Sequence, residues 1–242
     1  MHGMKWPKDY INQVICGDCL EVMKSMPDEC VNMVWTDPPY NAGKDYGTYK
    51  DKLSDNEYLK MCEMWAREMK RVSGNRMAIF VPQKYKLDWW LLLGSDYREI
   101  ILTWSPEGSL RGGFCNQFST LLTNMRPLKY TKNVWHNCQM PGLGYFFREN
   151  NYNHPGYTSE DITARVIMAF SELGQKILDP FGGAGTTAAV CKVLGRNSVS
   201  VEVDAGWCEM ARKRIAQAAE QQDLFRNPVQ ERQAEQHKLG LA

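Results

Sequence analysis

Two rhythms of apolar residues alternate along the chain. Short, nearly continuous apolar runs recur as "NQVICGD" (12–18), "CVNMVWT" (30–36), "MAIFVP" (77–82), "REIILTW" (98–104), "FSTLLTN" (118–124), "KILDPF" (176–181) and "SVSVEVD" (198–204). Runs this short, bounded by turn formers, predict strands buried on both faces. Between them the period lengthens to that of a helix. Tyr58, Cys62, Trp65, Met69 and Val72 step by four, three, four and three. Ser54 and Glu57 form a capping-box pattern before that stripe, and Gly74 ends it. A second stripe predicts a buried face of Ile162, Val166, Ala169, Phe170 and Leu173, capped by Thr158 with Asp161 and stopped by Gly174. Shorter helices are expected from Leu20 to Met26, over 83–93 and over Thr186–Leu194, and a long one from about Ala205 to Glu220. Residues 41–53, 105–117 and 133–157 read as loops. Strands and helices in alternation predict an α/β fold, doubly wound around a mostly parallel sheet. One domain is expected over 1–220, and the polar, Gln-rich residues 221–242 read as a tail.

Composition changes this picture in one place. The whole chain is nearly neutral, at +1 over 242 residues. Between 84 and 148, however, Lys84, Lys86, Arg98, Arg111, Arg126, Lys129, Lys132 and Arg148 stand against Asp88, Asp96, Glu99 and Glu107. That basic stretch is dense in aromatics, including Trp89, Trp90, Trp104, Phe114, Tyr130 and Trp135. The mixture is compatible with nucleic acid, and equally with a packed core under a solvated rim. Of eight cysteines only Cys16 and Cys19 form a C-x-x-C pair, and nothing completes a zinc set, so no metal site is expected. Reduced thiols in a cytoplasmic protein are the expectation. No run approaches membrane-spanning length, and no signal-like segment opens the chain.

The candidate chemistry begins where a strand ends in "VWTDPPYN", residues 34–41. Each proline removes a backbone N–H and fixes its own φ, and each pushes the residue before it toward extended geometry. Backbone carbonyls here are left as acceptors, beside the carboxylate of Asp37 and the ring of Tyr40. The arrangement suits a planar group carrying N–H donors. A second motif, "DPFGGAGTT" (179–187), places glycines between a strand and a helix, where a ligand can approach the backbone. Glu202 ends the next strand, twenty residues after Gly182, where a dinucleotide-type fold places the acid that binds ribose hydroxyls. The turn lacks the last glycine of the nicotinamide fingerprint, so another adenosine cofactor fits better.

With both motifs in hand, the chain resembles the S-adenosylmethionine-dependent amino-methyltransferases of DNA. The catalytic motif precedes the glycine motif, an order resembling the circularly permuted β group. The resemblance implies a seven-stranded, Rossmann-like methyltransferase sheet. It implies S-adenosyl-L-methionine as cofactor, held by Asp18, Cys19, Asp37, Asp179, Pro180, Phe181, Gly182, Gly183, Gly185, Thr186, Thr187, Glu202 and Val203. For Asp18, capping of the following helix is the other reading, and both can hold. Asp37, Pro38, Pro39 and Tyr40 are the expected catalytic group, with Asn41, Lys44, Tyr46 and Tyr49 meeting the substrate. The implied reaction is direct methyl transfer to the N6 amine of adenine in double-stranded DNA. The base is flipped out to reach the pocket, as in restriction-modification enzymes. The alternatives are an exocyclic cytosine amine, adenine in RNA, or an inactive DNA-binding relative. The family's His-Pro start is matched by His154-Pro155, but its following Lys-Pro is replaced by Thr158-Ser159. Only about residues 133–153 remain for target recognition, which suggests a short target or a second subunit; a homodimer is one expectation. In the tail, "QQDLF" (Gln221–Phe225) resembles a sliding-clamp docking peptide. The family implies a bacterial or phage origin.

Overall fold

The computed structural model describes residues 4–46, 48–103, 118–128, 134–136 and 158–219. In chain order these form β1 (Gln13–Cys16), α1 (Cys19–Lys24), β2 (Met33–Thr36), a two-rung hairpin of β3 (Asp45–Tyr46) and β4 (Tyr49–Lys50), α2 (Asp55–Ser73), β5 (Met77–Val81), α3 (Lys86–Leu93), β6 (Arg98–Thr103), β7 (Phe118–Thr123), β8 (Val134–His136), α4 (Glu160–Phe170), β9 (Lys176–Asp179), α5 (Thr186–Val193) and β10 (Asn197–Glu202). Residues 205–219 add a last helix, α6.

One sheet runs β1-β10-β9-β2-β5-β7-β6-β8. The first five strands are mutually parallel. β7 lies antiparallel to both β5 and β6. The expected seven strands are present, and the sheet gains an eighth: β8 pairs parallel to β6, within a segment read from sequence as irregular. Alternate residues sort the sheet's two faces. Val34 and Leu178 join the core under α1, α2 and α3, which includes Val22, Tyr58, Trp65 and Trp89. Met33, Trp35 and Ile177 join the core under α4 and α5, which includes Val166, Ile167 and Phe170. Val14 packs with Cys208 and Ala211 of α6.

Local sequence explains the ends of α1 and α2. Ser54 and Glu57 make the full capping box, and Gly74 closes α2 in the left-handed conformation. Asp18 caps α1, accepting from the Leu20 and Glu21 amides at 2.9 and 3.1 Å. The second stripe needs correction. Ser159, not Thr158, holds the N-cap position of α4, without a side-chain cap bond, and the helix ends at Phe170, with Ser171 rather than Gly174 at the C-cap position. Leu173 lies beyond it and is exposed. The loop 105–117, the segment from His154 to Tyr157 and the tail with Gln221–Phe225 lie outside the described residues.

Candidate cofactor and catalytic site

The strand order decides where a ligand can sit. β9 and β2 are neighbours at the centre, and their chain connections leave on opposite faces of the sheet. That is the switch point at which open α/β sheets form a crevice beyond the carboxyl ends of their strands. Both sequence motifs begin there. A cleft with about 820 Å³ of empty space, open to solvent, lies at this edge. Gly17, Asp18 and Cys19 follow β1; Pro180 and Phe181 follow β9; Glu202 ends β10 and Val203 follows it; all of them line it. From the other side it is lined by Asp37, Pro38, Pro39 and Tyr40 after β2, and by Lys44, Tyr46 and Tyr49 from the hairpin.

The remaining expected residues stand elsewhere. Asp179, Gly182, Gly183, Gly185, Thr186 and Thr187 do not line the cleft; they build the turn beneath it. Asp179 is buried and accepts the Thr36 hydroxyl at 2.7 Å, the Thr187 hydroxyl at 2.5 Å and the Phe181 amide at 3.1 Å. It therefore joins the end of β2 to the start of α5. Gly185 has φ +81°, and a Cβ there would meet Ala211 Cβ at 2.7 Å, so this glycine lets α6 approach the turn. Asn41 (φ +56°) also points away from the cleft. Its side chain accepts the Leu53 amide and donates to the Leu53 carbonyl and the Tyr85 hydroxyl. Both Gly185 and Asn41 thus serve the backbone turn that presents their neighbours.

Glu202 shapes the cofactor half of the cleft. Its carboxylate accepts the Gly183 amide at 2.9 Å and the Asp204 amide at 2.8 Å. Two backbone donors occupy about half of a carboxylate's acceptor capacity. Burial pushes its pKa up, against those two amides, which hold it down. Phe181 stands edge-on to Trp65, with ring centroids 4.9 Å apart. Trp65 and Met61 of α2 complete an apolar wall; of the two, the sequence pattern placed only Trp65, in the helix core.

The catalytic half is organised around Asp37. Its Oδ2 accepts the Thr158 hydroxyl at 3.0 Å. Its Oδ1 is buried and has no hydrogen-bond partner among the described residues. Burial raises the Asp37 pKa, while the facing Tyr40 hydroxyl, Thr158 and the Lys44 cation oppose the rise. The Tyr40 phenol is in turn pushed well up by burial and by Asp37. The Tyr58 hydroxyl donates to the Pro39 carbonyl at 2.8 Å and sets the path of the double proline. Buried Asp51 accepts the backbone amides of Asn41, Ala42 and Lys44, which bends the chain into the hairpin. At the hairpin tip Thr48 donates to Asp204 at 3.1 Å, beside Glu202. The hairpin therefore reaches from the catalytic half to the cofactor half of the cleft.

Sequence reasoning missed Thr158, Asp51, Trp65 and Met61. Thr158 meets a partner 121 positions away and Trp65 stands against Phe181, while Asp51 gathers nearby amides that no regular spacing announces. The basic excess of the middle region is partly consumed: Lys84 pairs with Asp55 and Lys86 with Glu99. Cys16, Cys19, Cys30, Cys62, Cys191 and Cys208 are free thiols, and no cluster of metal-binding side chains occurs among the described residues. No described helix is long and apolar enough to cross a membrane.

Comparison with known proteins points the same way. The family model of the DNA methylases (N6_N4_Mtase) matches residues 31–133 and 116–213. The Type II methyltransferase M.HpaI of Haemophilus parainfluenzae is 29% identical over 235 residues, 84% of this chain and 74% of that protein. M.HinfI of Haemophilus influenzae is 28% identical, over 86% of this chain and 69% of that protein. A protein of Thermus thermophilus assigned as a DNA modification methylase has a similar structure. It gives a TM-score of 0.62 at 25% identity, covering 85% of this chain and 94% of that one. The fold is also that of its complex with S-adenosyl-L-methionine (TM-score 0.59, 23% identity, 86% of this chain and 95% of that one). The cytosine-N4-specific PvuII DNA methyltransferase shares the fold as well (TM-score 0.63, 15% identity, 85% of this chain and 88% of that one).

Proposed function

Since the chain belongs to the DNA methylase family, we propose that it transfers a methyl group from S-adenosyl-L-methionine to the exocyclic N6 amine of adenine at a specific site in double-stranded DNA. The observation that carries this reading is Asp37: a half-buried residue with one carboxylate oxygen held by Thr158 and the other buried and without a partner among the described residues, at the edge of the cofactor cleft. A buried acceptor without a donor costs about 1–3 kcal/mol, and a substrate N–H removes that cost.

The cleft suits the cofactor. Glu202 retains acceptor capacity for ribose hydroxyls after its two backbone bonds. Asp18, capping α1, lines the same half of the cleft, where a carboxylate can accept from the adenine amine. Phe181 and Val203 offer apolar surface to the flat ring. When bound, S-adenosyl-L-methionine supplies the electrophilic methyl of a sulfonium.

The chain's residues supply the rest. An exocyclic amine is a weak nucleophile because its lone pair is delocalised into the ring. Asp37 accepts one of its N–H groups and the Pro38 carbonyl the other, which favours a pyramidal nitrogen with its lone pair free to attack. Tyr40 offers a ring face to hold the base. Alignment and charge stabilisation lower the barrier, and no covalent intermediate with the protein is needed. A base inside a duplex cannot reach Asp37, so it is flipped out; Lys44, Tyr46 and Tyr49 of the hairpin stand where it enters. We read the motif order as a circular permutation of the unpermuted methyltransferases. The named relatives are bacterial Type II enzymes, which fits a cytoplasmic modification enzyme acting on chromosomal or phage DNA.

The test is tritium transfer from labelled cofactor to DNA, with the product nucleosides separated. N6-methyladenine in wild-type digests, and none with Asp37→Ala despite retained S-adenosylhomocysteine binding, is the expected result. N4-methylcytosine would correct the base, and label confined to RNA would correct the substrate. Substantial transfer by Asp37→Ala would overturn the role of this carboxylate.

A further inference from the structure

Helix α4 is not among the elements that end at the cleft, yet its entry reaches the catalytic carboxylate. Thr158 lies 121 positions from Asp37 and places its hydroxyl 3.0 Å from Oδ2. One oxygen of Asp37 is thereby fixed as an acceptor from the protein, and the other is left over. The position of Thr158 is itself held. Two residues on, Glu160 pairs with Arg214 of α6, whose side chain is almost fully buried. The same guanidinium donates to the Thr186 hydroxyl at 2.9 Å and to the Ala184 carbonyl at 3.3 Å, both in the glycine turn. A continuous set of bonds thus runs from the turn beneath the cofactor half, through Arg214 and Glu160, to the backbone that carries Thr158.

We propose that Thr158 is a positioning residue for the methyl transfer: its hydroxyl holds the Asp37 carboxylate so that Oδ1 alone receives the target amine. A carboxylate without this hold can rotate about its terminal torsion, which is broad and roughly two-fold, and present either oxygen. Rotation spoils the alignment on which the reaction depends. The hydroxyl has a second effect. By donating to the ionised form it favours that form, in an environment where burial disfavours it. Five groups face Asp37 and govern its charge. Thr158 donates to it at Oδ2, the Tyr40 hydroxyl faces it, Lys44 attracts it, Asp179 of β9 repels it, and the Tyr46 phenol stands on the hairpin side. Of these, only Thr158 comes from the α4 side.

Thr158→Val keeps the shape and removes the donor; Thr158→Ser keeps the donor. The first readout is the titration of the Asp37 carboxyl by carbon-13 NMR in the cofactor-free protein, which does not require the reaction. Thr158→Val should move the Asp37 midpoint to higher pH, and Thr158→Ser should return it to the wild-type value. An unmoved midpoint in Thr158→Val overturns the proposal, whatever the protein methylates. Thr158→Ala carries the same test if the valine variant does not fold. The second readout rests on the methyl-transfer reading. In Thr158→Val, kcat should fall about 10- to 100-fold with its acid limb shifted to higher pH, while the dissociation constant for S-adenosylhomocysteine stays within about twofold. Thr158→Ser should recover most of kcat. Wild-type rates in Thr158→Val, or an equal loss in Thr158→Ser, also overturn it. A wild-type protein that methylates nothing would instead refute the proposed reaction and leave the titration to decide the role of Thr158.

Discussion

At the scale of single residues, the site is assembled from groups that fold poorly and act well. Asp37 is half-buried, has one buried oxygen without a partner among the described residues and is pushed toward the neutral form. A carboxyl whose folded pKa is raised adds stability that is fully present below its unfolded pKa and is lost as pH rises through the folded one. At pH 8 it is therefore a burden to the empty protein. Asp37→Asn, which carries no charge, should unfold at higher temperature than wild type at pH 8 while transferring no methyl. Its advantage should disappear as the pH falls below about 4, the unfolded pKa. A melting comparison at both pH values checks this; an Asn variant less stable at pH 8 would show that Asp37 is better satisfied than the geometry indicates. Gly185 stands at the opposite extreme, with no chemistry of its own. At φ +81° and with Ala211 Cβ 2.7 Å from any added methyl, alanine there strains both the backbone and the seat of α6. Left-handed strain of about 1–2 kcal/mol plus overpacking of about 1–3 kcal/mol gives a loss of about 2–5 kcal/mol, read by urea unfolding. A loss confined to cofactor binding, with stability unchanged, would return Gly185 to the ligand.

At the scale of elements, Asp179 does what neither strand can do alone. It takes the Thr36 hydroxyl from the end of β2 and the Thr187 hydroxyl from the first turn of α5, and so locks the catalytic motif to the glycine turn. Burial pushes its pKa up to about 6, against the three donors that hold it down. The sign follows as for Asp37: the contribution is whole below about 4 and is lost as the pH rises past about 6. Relative to Asp179→Asn, the wild type should lose about 3 kcal/mol of stability between pH 4 and pH 7, taking 1.36 kcal/mol for each pKa unit. A difference independent of pH would place the ionised form of Asp179 at no cost. The elements also show what a sequence carries. The capping box of α2 was legible because Ser54 and Glu57 are three residues apart and depend on nothing else. The parallel strands were legible as continuous apolar runs. The direction of β7 was not, because an apolar run is the same in either direction. Thr158 read as a helix cap for the same reason that Asp37 read as catalytic: local pattern. Only folding brings the two together, and one of the two readings had to give way.

At the scale of the molecule, the cleft is a meeting of distant segments. Residues 17–19 come from near the start of the chain and 180–181 and 202–203 from near its end, and they share one wall because β1 pairs with β10 beside β9. The motifs and their order were visible in the sequence; that Gly17 lies against Glu202, its amide donating to the Glu202 carbonyl at 2.8 Å, required the sheet. A ligand in this cleft therefore ties early and late parts of the chain together and should stabilise the whole fold, not one edge of it. S-adenosylhomocysteine at a hundred times its dissociation constant adds about 2.7 kcal/mol. For a domain of this size that is a rise in melting temperature of about 5–10 °C. Hydrogen exchange should slow together at residues 17–19 and at 180–183. Glu202→Ala removes an acceptor for the ribose at a cost of about 1.5–3 kcal/mol in affinity, since hydrogen bonds to charged groups fall in that range. At the same ligand concentration the thermal rise should then shrink to less than half. If Glu202→Ala keeps the full rise, the ribose is held elsewhere. If protection appears at 180–183 but not at 17–19, the ligand contacts only the glycine side and the start of the chain forms no wall of its site.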